Sequence, residues 1–318
     1  MKRHFTYSLL FWIFLLPMAK GEVVSGISIQ LKGNALNPSS FIVPIQIKDG
    51  LILVEATVND QKGSLIIDTG AKTLVLNSKY FTGYDVTAEV AYGLGGAIST
   101  LARQSKVTMD IEEINFTDLQ ADVISLEKIE ESKKIRILGL IGYDILEGFE
   151  TMFNYREGYL TLSQVDKSGE ILDVLPHTTL KVDSLTFQLG NFIPVITVDV
   201  KGVTKRMGID TGGEINLLDI NRNKDIMSEF QILRTIKISG ADGKERNAIA
   251  GRMYRIQVFE KFKCAGMSTL LGNLENFDAI YKTKLDGILG YEFLAPWIMS
   301  INYRKKKLYI HSFKTERP

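Results

Sequence analysis

The sequence predicts a mostly β protein made of two copies of one unit. An internal repeat in three blocks, strand-like patterning ahead of each copy, and the lack of long amphipathic helical patterns all lead there. The first block, Ser64-Leu-Ile-Ile-Asp68-Thr69-Gly70-Ala71 followed by Thr73-Leu-Val-Leu-Asn77, returns as Met207-Gly-Ile-Asp210-Thr211-Gly212-Gly213 followed by Ile215-Asn-Leu-Leu-Asp219. The second block, Gly139-Leu140-Ile141-Gly142-Tyr143-Asp144-Ile145-Leu146, returns as Gly287-Ile288-Leu289-Gly290-Tyr291-Glu292-Phe293-Leu294. The third, Phe153-Asn154-Tyr155-Arg156, returns as Ile301-Asn302-Tyr303-Arg304. The offsets are nearly constant, 210 − 68 = 142 for the first and 290 − 142 = 148 for the second. A given tripeptide recurs by chance at about one position in several thousand, so ordered companions around both copies make the duplication secure.

Along the chain, residues 1–21 read as a signal peptide. Lys2, Arg3 and His4 form a positive head, residues 7–18 are almost wholly apolar, and Ala19-Lys20-Gly21 places cleavage after Gly21. The apolar run is short for a membrane span, and an uncleaved amino-terminal anchor is the alternative. Both readings put the remainder outside the cytoplasm, periplasmic or secreted, with no integral span in the mature chain. Residues 22–40 are polar and turn-rich, and short for an inhibitory propeptide. Strand, turn and strand ending in Asp-Thr-Gly are then written twice. Leu51–Val58 and Ser64 to Ile67 flank Asn59-Asp60; residues 195–200 and 203–209 flank Lys201-Gly202. Short helices are expected within residues 219–230, 143–149 and 291–294. Residues 165–180, with Gly169 and Pro176, read as the connection between the halves 41–164 and 181–318.

Composition excludes several classes. With 45% hydrophobic and 24% charged residues and a net charge of +1, the chain is globular and has no bias towards nucleic acid. The one cysteine, Cys264, closes no internal bridge and reads as a small buried hydrophobe. His177 and His311 lack zinc-site spacing, no Ser or Cys nucleophile motif is present, and Gly93 to Gly96 does not continue into a phosphate loop. No metal and no cofactor is expected. Arg304-Lys305-Lys306-Lys307 reads as a solvated hairpin turn, and Tyr155 and Tyr303 as repeated packing positions.

The chemistry lies in the paired Asp-Thr-Gly turns. An Asp ending an apolar strand puts a carboxylate at the edge of a core, where ionisation is costly without hydrogen bonds. The following Gly lets main-chain N–H groups approach it, and Thr offers a hydroxyl to tie one turn to another. Two such turns meeting at a pseudo-twofold axis would bring the carboxylates together. Adjacent carboxylates share a proton, so one can take a proton from water while the other polarises a carbonyl.

On these residues, with Leu140-Ile141-Gly142 and Ile288-Leu289-Gly290 downstream, the chain resembles the retropepsin and pepsin superfamily of aspartic peptidases, in its bacterial form with two fused copies. The resemblance implies the acid protease fold, two β-barrel-like lobes over residues 41–164 and 181–318 with the cleft between them, and a monomer that holds both copies. It gives Asp68 and Asp210 the role of activating water on a polypeptide substrate. Thr69, Gly70, Thr211, Gly212, Gly142 and Gly290 take scaffold roles. It further implies flaps at Gly93, Gly95 and Gly96 and at Gly240 and Gly243, against the alternative of ordinary surface hairpins. Ala71 and Gly213 depart from pepsin-type enzymes, which often carry Ser or Thr there, so the pair would lack hydroxyl bonds to its outer oxygens. Two other functions fit the same residues: a peptide-binding module without turnover, and a structural envelope protein.

Overall fold

In a computed structural model of the chain, the residues described are 13–15, 28–31, 39–93, 96–172, 179–239, 245–258, 263–264 and 266–313. Among them, the second repeat builds one ten-stranded sheet, the first repeat builds another together with the preceding strands Ile13–Leu15 and Ser28–Leu31, and both repeats contribute to a third sheet of six strands.

Leu51–Val58 forms the strand its composition asks for. It turns through Asn59 and Asp60, both at positive φ (43° and 65°), into Gln61–Ile67, which ends at Asp68. The second repeat does the same. Ile193–Val200 turns through Lys201 and Gly202 (φ 55° and 84°) into Val203–Ile209, which ends at Asp210. Two-residue turns with both residues left-handed match the right-handed twist of paired strands.

The second block supplies the strand that underpins each turn. Ile137–Ile141 runs parallel to Gln61–Ile67 and antiparallel to Leu74–Asn77. Gly287–Leu289 repeats this between Val203–Ile209 and Asn216–Asp219. The fit leaves no room at Gly139, where a Cβ would collide with the Val75 carbonyl oxygen. Neither backbone can retreat without breaking the ladder. Gly139→Ala is expected to cost about 3 kcal/mol or more, at the upper end of overpacking losses, read as a lowered urea midpoint.

Packing keeps the repeat as well. One buried layer contains Leu51, Leu53, Val75, Leu126, Ile129 and Leu140. Its counterpart contains Ile193, Val195, Leu217, Leu274, Phe277 and Ile288, each 142 or 148 positions later. A larger cluster, including Phe116, Phe149, Met207 and Phe293, spans both halves.

The six-stranded sheet runs in the order Thr179–Thr186, Lys307–Phe313, Ile298–Asn302, Phe149–Asn154, Tyr159–Gln164, Ser40–Pro44. Its two central strands pair antiparallel with Met152 opposite Ser300. Arg304, Lys305 and Lys306 of the basic run lie in the turn between two of these strands and Lys307 opens the second; Arg304 and Lys306 are exposed, and Lys305 pairs with Glu170 at 2.6 Å.

Helices Tyr143–Leu146 and Tyr291–Leu294 begin where expected. Within residues 219–230 the helix is a 3-10 segment, Lys224–Glu229. Asp219 instead ends a strand, held there by parallel pairing with Met267–Gly272. Two further helices, Glu127–Lys133 and Glu275–Tyr281, were not foreseen. Nor was a strand within the segment expected to be turn-rich, where Ser28–Leu31 pairs with residues 114–117. Ile13–Leu15, in the stretch read as a signal, pairs antiparallel with residues 91–93. No helix among the described residues is long and apolar enough to cross a membrane. Cys264 is half-buried against the large cluster rather than enclosed, and burial pushes its thiol up to about 11.

Candidate active site

Both Asp-Thr-Gly turns stand on the strands just described. Ile141 O accepts the Asp68 N–H at 3.0 Å, and Leu289 O accepts the Asp210 N–H at 3.0 Å. The scaffold glycines follow at once. Tyr143 N–H donates to Ala71 O at 2.9 Å just after Gly142, and Tyr291 N–H donates to Gly213 O at 2.7 Å just after Gly290. Asn216 Oδ1 also accepts the Gly290 N–H at 2.9 Å.

The turns are cross-linked through their threonines. Thr211 Oγ1 accepts the Thr69 N–H at 3.0 Å and donates to Ile67 O at 2.7 Å. Reciprocally, Thr69 Oγ1 accepts the Thr211 N–H at 3.0 Å and donates to Ile209 O at 3.0 Å. Thr69 and Thr211 are 0% and 1% exposed, so these bonds are made away from water.

The cross-link brings the two carboxylates together. Gly70 N–H donates to Asp68 Oδ1 at 2.9 Å and Gly212 N–H to Asp210 Oδ1 at 2.6 Å. Each glycine lies against the other turn's acid. A Cβ on Gly70 would collide with Asp210 Oδ2, and one on Gly212 would lie 2.6 Å from both Asp68 oxygens. The acids are buried, at 4% and 0% exposure, and each carboxyl lies against the glycine of the other turn. Asp210 Oδ2 meets no donor among the described residues. A carboxylate oxygen so placed is costly unless it carries a proton, which it can donate to Asp68.

Burial is the first cause of the shift in both groups. It pushes Asp68 up to about 6 against the bonds from Asp210 and from the Gly70 and Ala71 backbone. Burial and then the Asp68 charge push Asp210 well above the ordinary carboxylate value. The pair therefore binds protons more tightly folded than unfolded. The Asp68 contribution is full below the unfolded value of about 4 and is lost as pH rises through about 6, and that of Asp210 persists to higher pH. Relative to wild type, Asp68→Asn is expected to gain about 3 kcal/mol of unfolding free energy between pH 4 and pH 7, read by urea titration. Comparing the two proteins removes the opposite contributions of Glu130 and Glu150, whose pKa values are lowered despite burial by bonds from Lys79 and Lys181 respectively.

The surroundings are aromatic. The Tyr281 hydroxyl donates to Gly70 O at 3.3 Å, and burial followed by the Asp210 charge raises its pKa. Tyr303 packs edge-on against Tyr143 and Phe187, and Tyr155 against Tyr291, as repeated packing positions would. The Tyr303 hydroxyl is buried without a partner among the described residues. Gly93 and Gly96 pair at the end of a hairpin formed by Asp85–Gly93 and Gly96–Ile111; Gly95 lies outside the described residues. The matching hairpin of the second repeat closes at Ser239 and Glu245, and Gly240 and Gly243 also lie outside them. No group of three or more His, Cys, Asp or Glu among the described residues could hold a metal ion.

With this geometry in place, residues 54–145 match the family model described as aspartyl protease. That match, over the stretch that holds Asp68 and Gly142, supports an aspartyl protease family of the retropepsin-like kind, and the mostly β architecture is consistent with the acid protease fold. A search of curated proteins finds no match.

Residue patterns missed three contributors to the site: Asn216, which braces Gly290; Tyr281, which holds Gly70 O; and Lys133, whose ammonium reaches Glu214 beside the second turn. The repeat offset could have aligned Lys133 with Tyr281, since 281 − 133 = 148, but the two side chains share no chemistry.

Proposed function

We propose that the protein is an exported aspartic endopeptidase in which Asp68 and Asp210 hydrolyse peptide bonds through an activated water. The observation that carries this reading is the meeting of two buried carboxyls, each against the other turn's glycine, with Asp210 Oδ2 lacking a hydrogen-bond partner among the described residues and Asp68 held by the Gly70 N–H. Such a pair holds one proton at neutral pH. Ionised Asp68 takes a proton from water as its oxygen adds to the scissile carbonyl carbon, while Asp210 gives its proton to the carbonyl oxygen. Collapse of the tetrahedral intermediate breaks the C–N bond and delivers a proton to the departing amine. No covalent intermediate is needed.

An extended polypeptide is the substrate that fits, because the hairpin ending at Gly93 and Gly96 offers strand-like backbone that can close over a chain. The charged amino-terminal head and apolar run of residues 1–21 support export to a periplasm or the exterior. The test is cleavage of a peptide library by the purified chain lacking residues 1–21, with new termini read by mass spectrometry. A folded protein that cleaves nothing from acid to neutral pH sinks the reading.

A further inference from the structure

The two unforeseen helices end on equivalent residues. Lys133 closes Glu127–Lys133 and Tyr281 closes Glu275–Tyr281, and each is followed by a left-handed lysine, Lys134 or Lys282. Each side chain reaches the aspartate-bearing turn of the other repeat. Lys133 Nζ, on a side chain 3% exposed, lies 2.7 Å from Glu214 Oε2, two residues beyond Gly212. The Tyr281 hydroxyl reaches Gly70 O, the last residue of the first Asp-Thr-Gly.

The neighbouring hairpin turns match as well. Asp49 and Asn191 stand 142 positions apart, both at positive φ (49° and 58°). Asp49 Oδ2 lies 3.5 Å from Lys133 Nζ. Gly50, at φ 88°, brings that turn so close that a Cβ there would sit 3.1 Å from Glu214 O. In the second repeat, Asn191 Nδ2 donates to Ile280 O at 3.0 Å, and the Phe192 ring meets Tyr281 edge-on at 5.3 Å. Two arms thus occupy the same place in the repeat, one ionic and one a neutral hydrogen bond.

We infer that Lys133 and Tyr281 are positioning residues, each closing a helix of one repeat and fixing the aspartate-bearing turn of the other. Their kinetic effect rests on the peptidase reading above. They act through Glu214 and the Gly70 carbonyl, so kcat should fall while KM is kept. In the purified chain, Lys133→Met is expected to lower kcat about tenfold or more, as small misplacements of reacting groups do, with KM within about twofold. Lys133→Arg should restore most of the loss. Tyr281→Phe keeps the ring and removes one neutral hydrogen bond, for a loss of about fivefold.

Thermal midpoints and near-ultraviolet circular dichroism establish that each variant is folded. The carbon-13 shifts of the Asp68 and Asp210 side-chain carboxyls report the turns without turnover, and they should move in Lys133→Met. Folded Lys133→Met with wild-type kcat and unmoved carboxyl shifts overturns the inference. If wild type cleaves nothing, the peptidase reading fails alone; moved shifts then still support the positioning role and unmoved shifts overturn it. Should Lys133→Met not fold, Glu214→Gln removes the ion pair with little change of shape and gives the same readouts.

Discussion

Asp210→Asn is expected to reduce peptide hydrolysis about 10³-fold or more while leaving the fold intact, and Asp68→Asn should do the same. Asparagine keeps the oxygen that accepts the Gly212 or Gly70 N–H, so the turn retains its bond at 2.6 or 2.9 Å. It cannot cycle a proton. General acid–base catalysis by one group is worth about 10²–10⁴-fold, and in the proposed mechanism each acid takes part in proton transfer. The loss should appear in kcat, since the proposed substrate contacts lie at the hairpin ending at Gly93 and Gly96 rather than at the acids. Cleavage that survives either change within tenfold removes the pair from the mechanism.

The second large effect belongs to the threonine cross-link. Thr211→Val keeps the side-chain shape and removes the hydroxyl that accepts the Thr69 N–H and donates to Ile67 O. Both groups are then left buried without partners, at about 1–3 kcal/mol each. An expected loss of about 2–6 kcal/mol follows, a large fraction of an ordinary domain's stability, measured as a drop in the urea midpoint at unchanged slope. Thr211→Ser keeps the hydroxyl and should recover most of it. If Val and Ser are equally stable, the hydrogen bonds are not what joins the turns.

The repeat was the most readable property of this chain, because its signals are local. Asp-Thr-Gly, the downstream glycine blocks and the two-residue turns are runs of neighbouring residues. They were enough to place the strands leading to Asp68 and Asp210 and the strands beneath them. Helices Glu127–Lys133 and Glu275–Tyr281 escaped notice because seven residues make too few turns for a helical period to stand out. Asp219 misled for another reason. It is a good helix N-cap by type, yet its oxygens accept the N–H groups of Asn221, Arg222 and Leu274 around a strand end. The cross-lobe contacts of Lys133 and Tyr281 span 81 and 211 residues and leave no local pattern.

Met152 opposite Ser300 has a further consequence. These residues are the same position counted in the two copies, since 300 − 152 = 148, so the pseudo-dyad passes between them. A surface that meets its own equivalent in this way is isologous, the geometry by which two identical subunits form a closed pair. Within one chain, the halves cannot part on dilution, because the tether sets their effective concentration. The fusion also releases the halves from identity. Glu214 stands where its counterpart is Lys72, and Tyr281 where its counterpart is Lys133, combinations that a symmetric pair of one gene product could not present on opposite sides of its axis.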